Sequence, residues 1–436
     1  EGIDGLVLAA ETAIGKYPVE CVRIMSRIVR EFYQNEEGNI DYLTSLPSDR
    51  MIEPHGGVLI QQHKYDLDQK YLKNLPALSV NHNQHSDIIQ MTEGIYSPIS
   101  SFMGLEELDS VLDCHKLLSG ISWSLPILLQ LNEEQINNLP KKGEVGLYLN
   151  DDHECFAMID ILSVEKIENM DSIAKRWFET LSMEHPGVAH FLNNGQYLVR
   201  GIPYLVQKKT KSRSINFELT PRQTRQIIND AGWHNIVGFH TRNVPHQGHE
   251  YIQKKALEMC HGDALFISPV IGKKKSGDFK GEVIIKCYQH IIQSGFYEPN
   301  GVLLVPFNTY SRYSGPREAV FTVLCRKNYG CNHFIVGRDH TGVKDFYDKE
   351  ASIEIFKNVE TGLNIVSFDS VDFCVECGEI NTNCVHSSID KKSISGSQIR
   401  DTLLKNGQIP WYMMRKDSAD FLREMYLEMP ESILER

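Results

Sequence analysis

Nowhere in the 436 residues is there an uninterrupted apolar run near the roughly 18 residues that a membrane-spanning helix needs. The opening EGIDGLVLAAETAIGKYPVE carries acidic residues where a signal peptide would carry a basic flank, so a soluble chain is expected. Cysteine is sparse: ten residues, scattered singly except near the C-terminal end, which excludes a disulfide framework and suggests a reducing, cytoplasmic setting, an organelle included. Positive charge is also short. Lysine and arginine number 45 against 57 aspartate and glutamate, and the net charge of -12 argues against non-specific nucleic-acid binding and against adhesion to an anionic membrane. Any anion must therefore be bound by a local arrangement. There is no internal repeat and no low-complexity tract. What remains, 41% hydrophobic and 23% charged residues, is a globular composition with room for about two to four domains.

Patterning divides the chain. Residues 1–40 read as a short buried strand, a helix with Val19, Val22, Met25, Ile28, Val29 and Phe32 on one face, and the polar linker QNEEGN. From 41 to 208, short apolar runs (GGVLI, ALSV, SWSLPILLQL, GEVGLYL, CFAMIDILSV, YLVRGI) alternate with glycine, proline and polar clusters, the spacing of a β-rich domain. From 209 to 370, a helix over PRQTRQIINDAGW precedes the strand candidates NIVGFH, ALFISPVIG, GVLLVPF and HFIVGRD, each separated by a helical stretch. That order predicts an α/β domain with a parallel sheet, which binds ligands at the carboxyl ends of its strands. Residues 371–436 form a small C-terminal domain.

At one such strand end stands GFHTRNVPHQGHEYI, residues 238–252. The pattern is strand, loop and helix, with His246 and His249 three apart in the first helical turn. A helix start favours an anion through its free amides and dipole, and two imidazoles there can bond phosphate oxygens and stabilise charge on a phosphorus under attack. Capping or metal ligation is the competing use of the pair.

These residues resemble the Gln-Thr-Arg-Asn-x-x-His-x-x-His signature of ATP sulfurylases (sulfate adenylyltransferases). EPHGG at 53–57, SPISSFM at 97–103, RYSGPREA at 312–319, RKNYGCNHFIVGRDHTG at 326–342 and ISGSQIR at 394–400 match further blocks of that family in order. The resemblance implies a β-rich PUA-like N-terminal domain, a Rossmann-like nucleotidyltransferase α/β catalytic domain and a small C-terminal domain. The implied reaction joins Mg-ATP and sulfate into adenosine 5'-phosphosulfate and pyrophosphate, in a homodimer or higher homo-oligomer. Thr241, Arg242 and Asn243 would form the active-site loop, with Arg242 forking sulfate. His246 and His249 would stabilise the five-coordinate phosphorus and the departing pyrophosphate. Gly337, Arg338, Asp339 and His340 would meet the nucleotide, as would the 240–243 loop. Arg312 would be a mobile phosphate contact, or else, like Arg338, a member of a surface salt bridge. No G-x-x-x-x-G-K-[ST] loop occurs, so the adenylylsulfate kinase fused to some relatives is not expected. A catalytically silent relative, or an adenylyltransferase for another oxyanion, are the alternatives. Residues 1–35 instead resemble pyruvate kinase at the end of its barrel, through Ala10, Glu11, Thr12, Tyr17 and Pro18, and read as a fusion remnant on a fragment.

Two positions depart from the sulfurylase pattern, both in its sulfate site: His240 stands for the usual glutamine and Thr341 for the usual alanine. A dianion beside His240 would favour a charged imidazole donating from both nitrogens, so sulfate binding is expected to weaken as pH rises. In FCVECGEINTNCVH, Cys374, Cys377, Cys384 and His386 make a set suited to tetrahedral, structural Zn2+, with His386 the ligand of least regular spacing; free thiols are the alternative.

Overall fold

The computed structural model of the chain describes residues 51–150, 152–207, 218–272, 274, 276–337, 346–348, 350–369, 371–382, 384–387 and 390–435. The pyruvate kinase-like segment lies outside these residues, and so do Arg338, Asp339, His340 and Thr341.

The N-terminal part is built on a five-stranded sheet of β1 (Ala77–Val80), β2 (Gln130–Leu131), β3 (Gly143–Leu149), β4 (Cys155–Lys166) and β5 (Tyr197–Leu205), in the order β1-β3-β4-β5-β2. Only β1 and β3 pair in parallel; the others are antiparallel. Two expected strands are corrected. GGVLI forms none: Gly56 and Gly57 have φ of 79° and 89°, and the Ile60 amide donates to the Ser97 hydroxyl instead of to a ladder. Of SWSLPILLQL only Gln130–Leu131 forms a strand, with Ser122 in an isolated bridge to Lys116, since Pro126 has no amide to give a neighbouring strand.

The second part is the expected parallel α/β layer. Strands β6 (Ile236–Thr241), β7 (Ala264–Pro269), β8 (Val302–Leu304), β9 (His333–Val336) and β10 (Asn364–Ser367) are all parallel, in the order β10-β9-β6-β7-β8. The edge strand β10 was not among the predicted strands. It is four residues long and mostly exposed or half-buried, so its apolar signal is weak. A small antiparallel sheet follows, β12-β11-β13, from β11 (Asp372–Cys374), β12 (Glu379–Asn381) and β13 (Lys391–Ser393), with helices Gly396–Leu404 and Lys416–Glu428 after it. None of the described helices is long and apolar enough to cross a membrane.

Helix Pro316–Tyr329 joins the first two parts. It starts with proline at its first turn and ends at Gly330, whose φ of 106° only glycine adopts readily. It is buried almost all round. Phe321 meets the edges of Tyr96 and Trp123, at centroid distances of 5.2 and 5.9 Å, inside one core that runs from Leu78 to Val359. The Asn328 amide donates to the Ile95 and Ser97 carbonyls, both at 2.9 Å, and Arg317 Nη2 reaches the Leu112 carbonyl at 2.8 Å. Arg225 closes the C-terminal end by donating to the Lys327 and Asn328 carbonyls, at 2.8 and 2.7 Å.

The loop before this helix changes the reading of Arg312. Its guanidinium is buried, bonded to Asp87 and to the Tyr96 and Thr309 hydroxyls at 3.1 Å each, while Asp87 also accepts from Tyr96 and Tyr310 at 2.9 and 2.8 Å. Arg312 is thus not half of a surface salt bridge; here it is an internal tie between the two parts, and it also lines a cavity that Lys274 and Ser311 line. Removing one partner of a buried pair strands the other charge, so Asp87→Ala is expected to cost about 3–5 kcal/mol. The double variant Asp87→Leu/Arg312→Met should recover most of that loss. Urea unfolding of the three proteins measures both, and a near-neutral Asp87→Ala would show that the pair does not hold the parts together.

Candidate active site

The site grows from the carboxyl end of β6. Side chains alternate along that strand, so Phe239 and Thr241 face one layer of helices while His240 faces helix Pro316–Tyr329 on the other. Phe239 packs against the edge of the His249 ring at 5.0 Å. Past the strand the chain turns at Thr241, whose hydroxyl accepts from the Asn243 amide at 3.0 Å and donates to the Asn243 carbonyl at 3.2 Å. Thr241 is buried, and its hydroxyl braces the loop. Asn243 is backed by the C-terminal part: a Cβ on Gly396 would lie 2.5 Å from its side chain, so helix Gly396–Leu404 can approach this closely only with glycine there.

Helix Gln247–Cys260 begins one residue later than the sequence suggests, with His246 as its N-cap. Capping, which the sequence reading set against catalysis, does occur: the His249 amide donates to His246 Nδ1 at 3.2 Å. The two rings stack at 3.6 Å between centroids, 24° apart in plane. The helix start is less open to an anion than expected, because the Gln247 amide donates to the Met413 carbonyl at 2.8 Å.

Burial pushes His246 down to about 4, and burial together with the neighbouring His246 holds His249 well below the usual imidazole range. Both rings are neutral at physiological pH. With Nδ1 of His246 accepting, its proton sits on Nε2. The Tyr288 hydroxyl stands 3.5 Å from His249 Nδ1 and can donate to it or accept from it, so either neutral tautomer keeps one N–H. The pair therefore supplies neutral N–H donors, and the stacking would be repulsive if both were charged.

Cations enter from three directions. Arg242 Nη1 lies 3.4 Å from the Ser311 hydroxyl. Lys274 is buried, donates to the Val270 carbonyl at 3.2 Å, and is pulled down to about 8 by its burial. Arg326, fully buried, donates to His240 Nδ1 at 2.7 Å and to the Ser268 hydroxyl at 2.9 Å. This bond bears directly on the protonation expected of His240. A guanidinium only donates, so the ring cannot carry protons on both nitrogens while the bond stands. Lys274, Ser311 and Arg326 were not anticipated; no spacing signal marks them, because each comes from a different element. Lys274 and Ser311 also line a cavity of about 600 Å³ between the loop at 310–313 and the N-terminal part, which the two stacked histidines do not line.

The last expected residue in view is Gly337, exposed at the end of β9; Phe239 of β6 pairs with Ile335, so the chain leaves β9 beside the 240–243 loop. Farther off, Cys374, Cys377, Cys384 and His386 bring one ligand atom each within 4.8 Å of one another. His386 Nδ1 lies 3.5, 3.3 and 3.1 Å from the three sulfurs, and the Cys377 and His386 amides donate to Cys374 and Cys384 Sγ at 3.4 Å. Three sulfurs and one imidazole, supported by amide donors, are compatible with a structural metal.

A parallel α/β layer with stacked histidines and cations at its strand ends defines the class: a nucleotide-handling transferase domain behind a β-rich one. Comparison with known proteins gives the particular family. Residues 52–208 match the PUA-like domain and residues 215–425 the ATP-sulfurylase family. The sulfate adenylyltransferase of Halothermothrix orenii is 35% identical over 383 residues, covering 85% of this chain and 98% of the relative. That of Thermococcus onnurineus is 35% identical over 380 residues, covering 85% and 97%. Among solved structures, one titled hexameric APS kinase from Thiobacillus denitrificans superposes with a TM-score of 0.68 at 16% identity, covering 87% of this chain and 69% of that one, a likeness of fold. The chain belongs to the sulfate adenylyltransferase family.

Buried neutral histidines also set an acid limit. His55, His85 and His246 are 5%, 4% and 6% exposed, and burial lowers each to about 4. Unfolded, they take up protons near pH 6.5, so between pH 6.5 and 4 the unfolded state binds more protons and stability falls as pH is lowered. The expected slope is up to ~1.4 kcal/mol per pH unit for each histidine. Denaturant unfolding at pH 7, 6 and 5 checks this; constant stability across the window would mean that these rings are not held neutral.

Proposed function

We propose that the chain catalyses adenylyl transfer from Mg-ATP to sulfate, giving adenosine 5'-phosphosulfate and pyrophosphate. Family membership supports the reaction, and the stacked, neutral His246–His249 pair beside Arg242 supports where it occurs. A sulfate oxygen attacks the α-phosphorus, a new phosphorus–oxygen bond forms, and the bond to the β-phosphate oxygen breaks with the electron pair leaving on pyrophosphate. Sulfate is already ionised, so no nucleophile or base is required, and positioning with charge stabilisation carries the rate. In this reading Arg242 holds sulfate, Asn243 is kept in place by Gly396, and the two imidazoles donate to oxygens of the phosphorus under attack. Gly337, Arg338, Asp339, His340 and Thr341 belong to the nucleotide and sulfate contacts. Magnesium enters with ATP. The chain is divided at about 40, 208 and 370, acts as a homo-oligomer in the cytoplasm, and carries residues 1–35 as a pyruvate kinase-like remnant.

The test is pyrophosphate release from Mg-ATP with sulfate, with molybdate and selenate as separate arms, since His240 departs from the family's glutamine. Either His246→Ala or His249→Ala should cut turnover by about a hundredfold or more, as loss of one transition-state donor does. For His246 the lost cap would also cost about 1 kcal/mol of stability. Turnover near the parent value in either variant would remove the pair from the mechanism.

The four-residue cluster holds Zn2+ in this reading, in a structural role, because four protein ligands leave no open position. One zinc per chain is expected in protein purified without chelator, and Cys377→Ser should lower that content and the unfolding temperature together. Metal analysis returning essentially no zinc from the parent protein would mark the three sulfurs as ordinary thiols.

A further inference from the structure

We infer that Arg326 is a positioning residue that fixes His240 as a neutral imidazole with its proton on Nε2, so that the ring presents a single donor of fixed direction at the strand end.

The geometry has three independent parts. His240 and Ser268 are direct partners across the parallel pair β6–β7, so their side chains emerge together on one face of the sheet. Arg326 rises from helix Pro316–Tyr329 beneath them and one of its nitrogens, Nη2, serves both, at 2.7 Å to His240 Nδ1 and 2.9 Å to Ser268 Oγ. The guanidinium lies 4.1 Å from the centroid of the Phe307 ring, fully buried, with Nε and Nη1 making no hydrogen bond. A planar ion held over a ring in a closed space has little freedom to turn away. It accepts nothing, so His240 Nδ1 must keep its lone pair, and the imidazole proton is left on Nε2.

An imidazole of that kind offers an acceptor on one side and an N–H on the other, as a glutamine amide does. The family's glutamine position can therefore be filled by histidine here without adding a charge that changes with pH. Among the described residues, Arg326 from the helix below is the charged group bonded to His240, Arg242 follows two residues on in the same chain, and Lys274 comes from the loop after β7, with Glu435 3.9 Å from it. Glu318, from the same helix as Arg326, accepts from the Arg312 and Ser314 amides. Protonating His240 would place a further cation among them and break the Arg326 bond. Sulfate affinity is then expected to stay level where a titrating imidazole would make it fall with rising pH.

The inference rests on the sulfate reading only for its kinetic arm. Nitrogen chemical shifts of ¹⁵N-histidine-labelled protein, with the His240 signal assigned by its loss in His240→Gln, report the tautomer directly. The expected parent signal is neutral with Nε2 protonated, unchanged from pH 8.5 to 6. A signal for protonated Nδ1, or titration near 6.5, overturns the inference whatever the enzyme does with sulfate. Arg326→Lys keeps the charge and loses the fork; it should produce mixed tautomers or titration within that range. Kinetically it should raise the sulfate KM about tenfold, the size expected for a lost hydrogen bond to a charged group, with little change in the ATP KM. In a His240→Leu background, which removes the imidazole acceptor and leaves Arg326 only the Ser268 hydroxyl, the same substitution should add at most about twofold. An equal penalty in both backgrounds would make Arg326 a merely structural residue. If Arg326→Lys does not fold, the parent spectrum alone decides. If the parent releases no pyrophosphate with sulfate, the reading of the substrate fails while the tautomer assignment stands or falls on its own signal.

Discussion

Helix Pro316–Tyr329 has almost no solvent face, and that constraint organises the rest of the chain. A helix buried all round must satisfy every polar side chain internally, and its neighbours carry charges that cannot reach water. Arg317 and Asn328 answer by bonding backbone carbonyls of the N-terminal part, which fixes the two sheets against each other. The loop arginine Arg312 finds a carboxylate in Asp87. Arg326 finds no carboxylate among the described residues and takes an imidazole and a hydroxyl instead. Burying a cation on those terms is costly, and the arrangement persists because the surrounding core leaves it no other place.

Histidine chemistry at the site follows from such enclosure. His246 spends Nδ1 on capping its own helix, His249 has Tyr288 beside Nδ1, and His240 accepts from Arg326. For His246 and His240 the partner of Nδ1 can only donate, which leaves the ring proton on the outer nitrogen. The C-terminal part steadies the same helix from above. Arg415 donates to Glu250 at 2.6 Å and the Met413 carbonyl receives the Gln247 amide. Phe373, next to Cys374, packs on Trp411 and Tyr412 at 5.0 Å each. The sulfur cluster is thus linked to the active-site helix through two aromatic contacts and one short stretch of backbone, so its integrity bears on where His246 stands.

Much of this was readable from residues alone, and the reason is local. Strands β6, β7, β8 and β9 and the helix after Pro245 announce themselves through runs of apolar residues with the right period, and the histidine pair through its spacing. The cysteine set is visible because its first two members lie three residues apart. The misses share a different cause. GGVLI is apolar enough for a strand, but its glycines and a hydroxyl from Ser97 redirect it. Arg312 sits in a motif that suggested anion contact, and only the fold reveals Asp87 waiting 225 residues away. Arg326, Ser268 and Lys274 belong to the site through sheet register and burial, quantities that a single element's sequence does not contain.

The charge balance gains a physical meaning from these placements. A chain with a net charge of -12 repels sulfate and pyrophosphate at long range, so binding must come from short-range fields in a desolvated space. Three cations stand near the strand ends, where such a field would arise. Arg242 stands on the loop and keeps a planar fork near Ser311. Lys274 is drawn down to about 8 by burial, so it is mostly charged at neutral pH and a bound anion would hold that charge at higher pH. Arg326 stays behind the sheet, its charge relayed by one neutral imidazole. Removing surface acids would change encounter with the anion, but the field that holds it is set inside the fold, by groups whose positions depend on the buried helix.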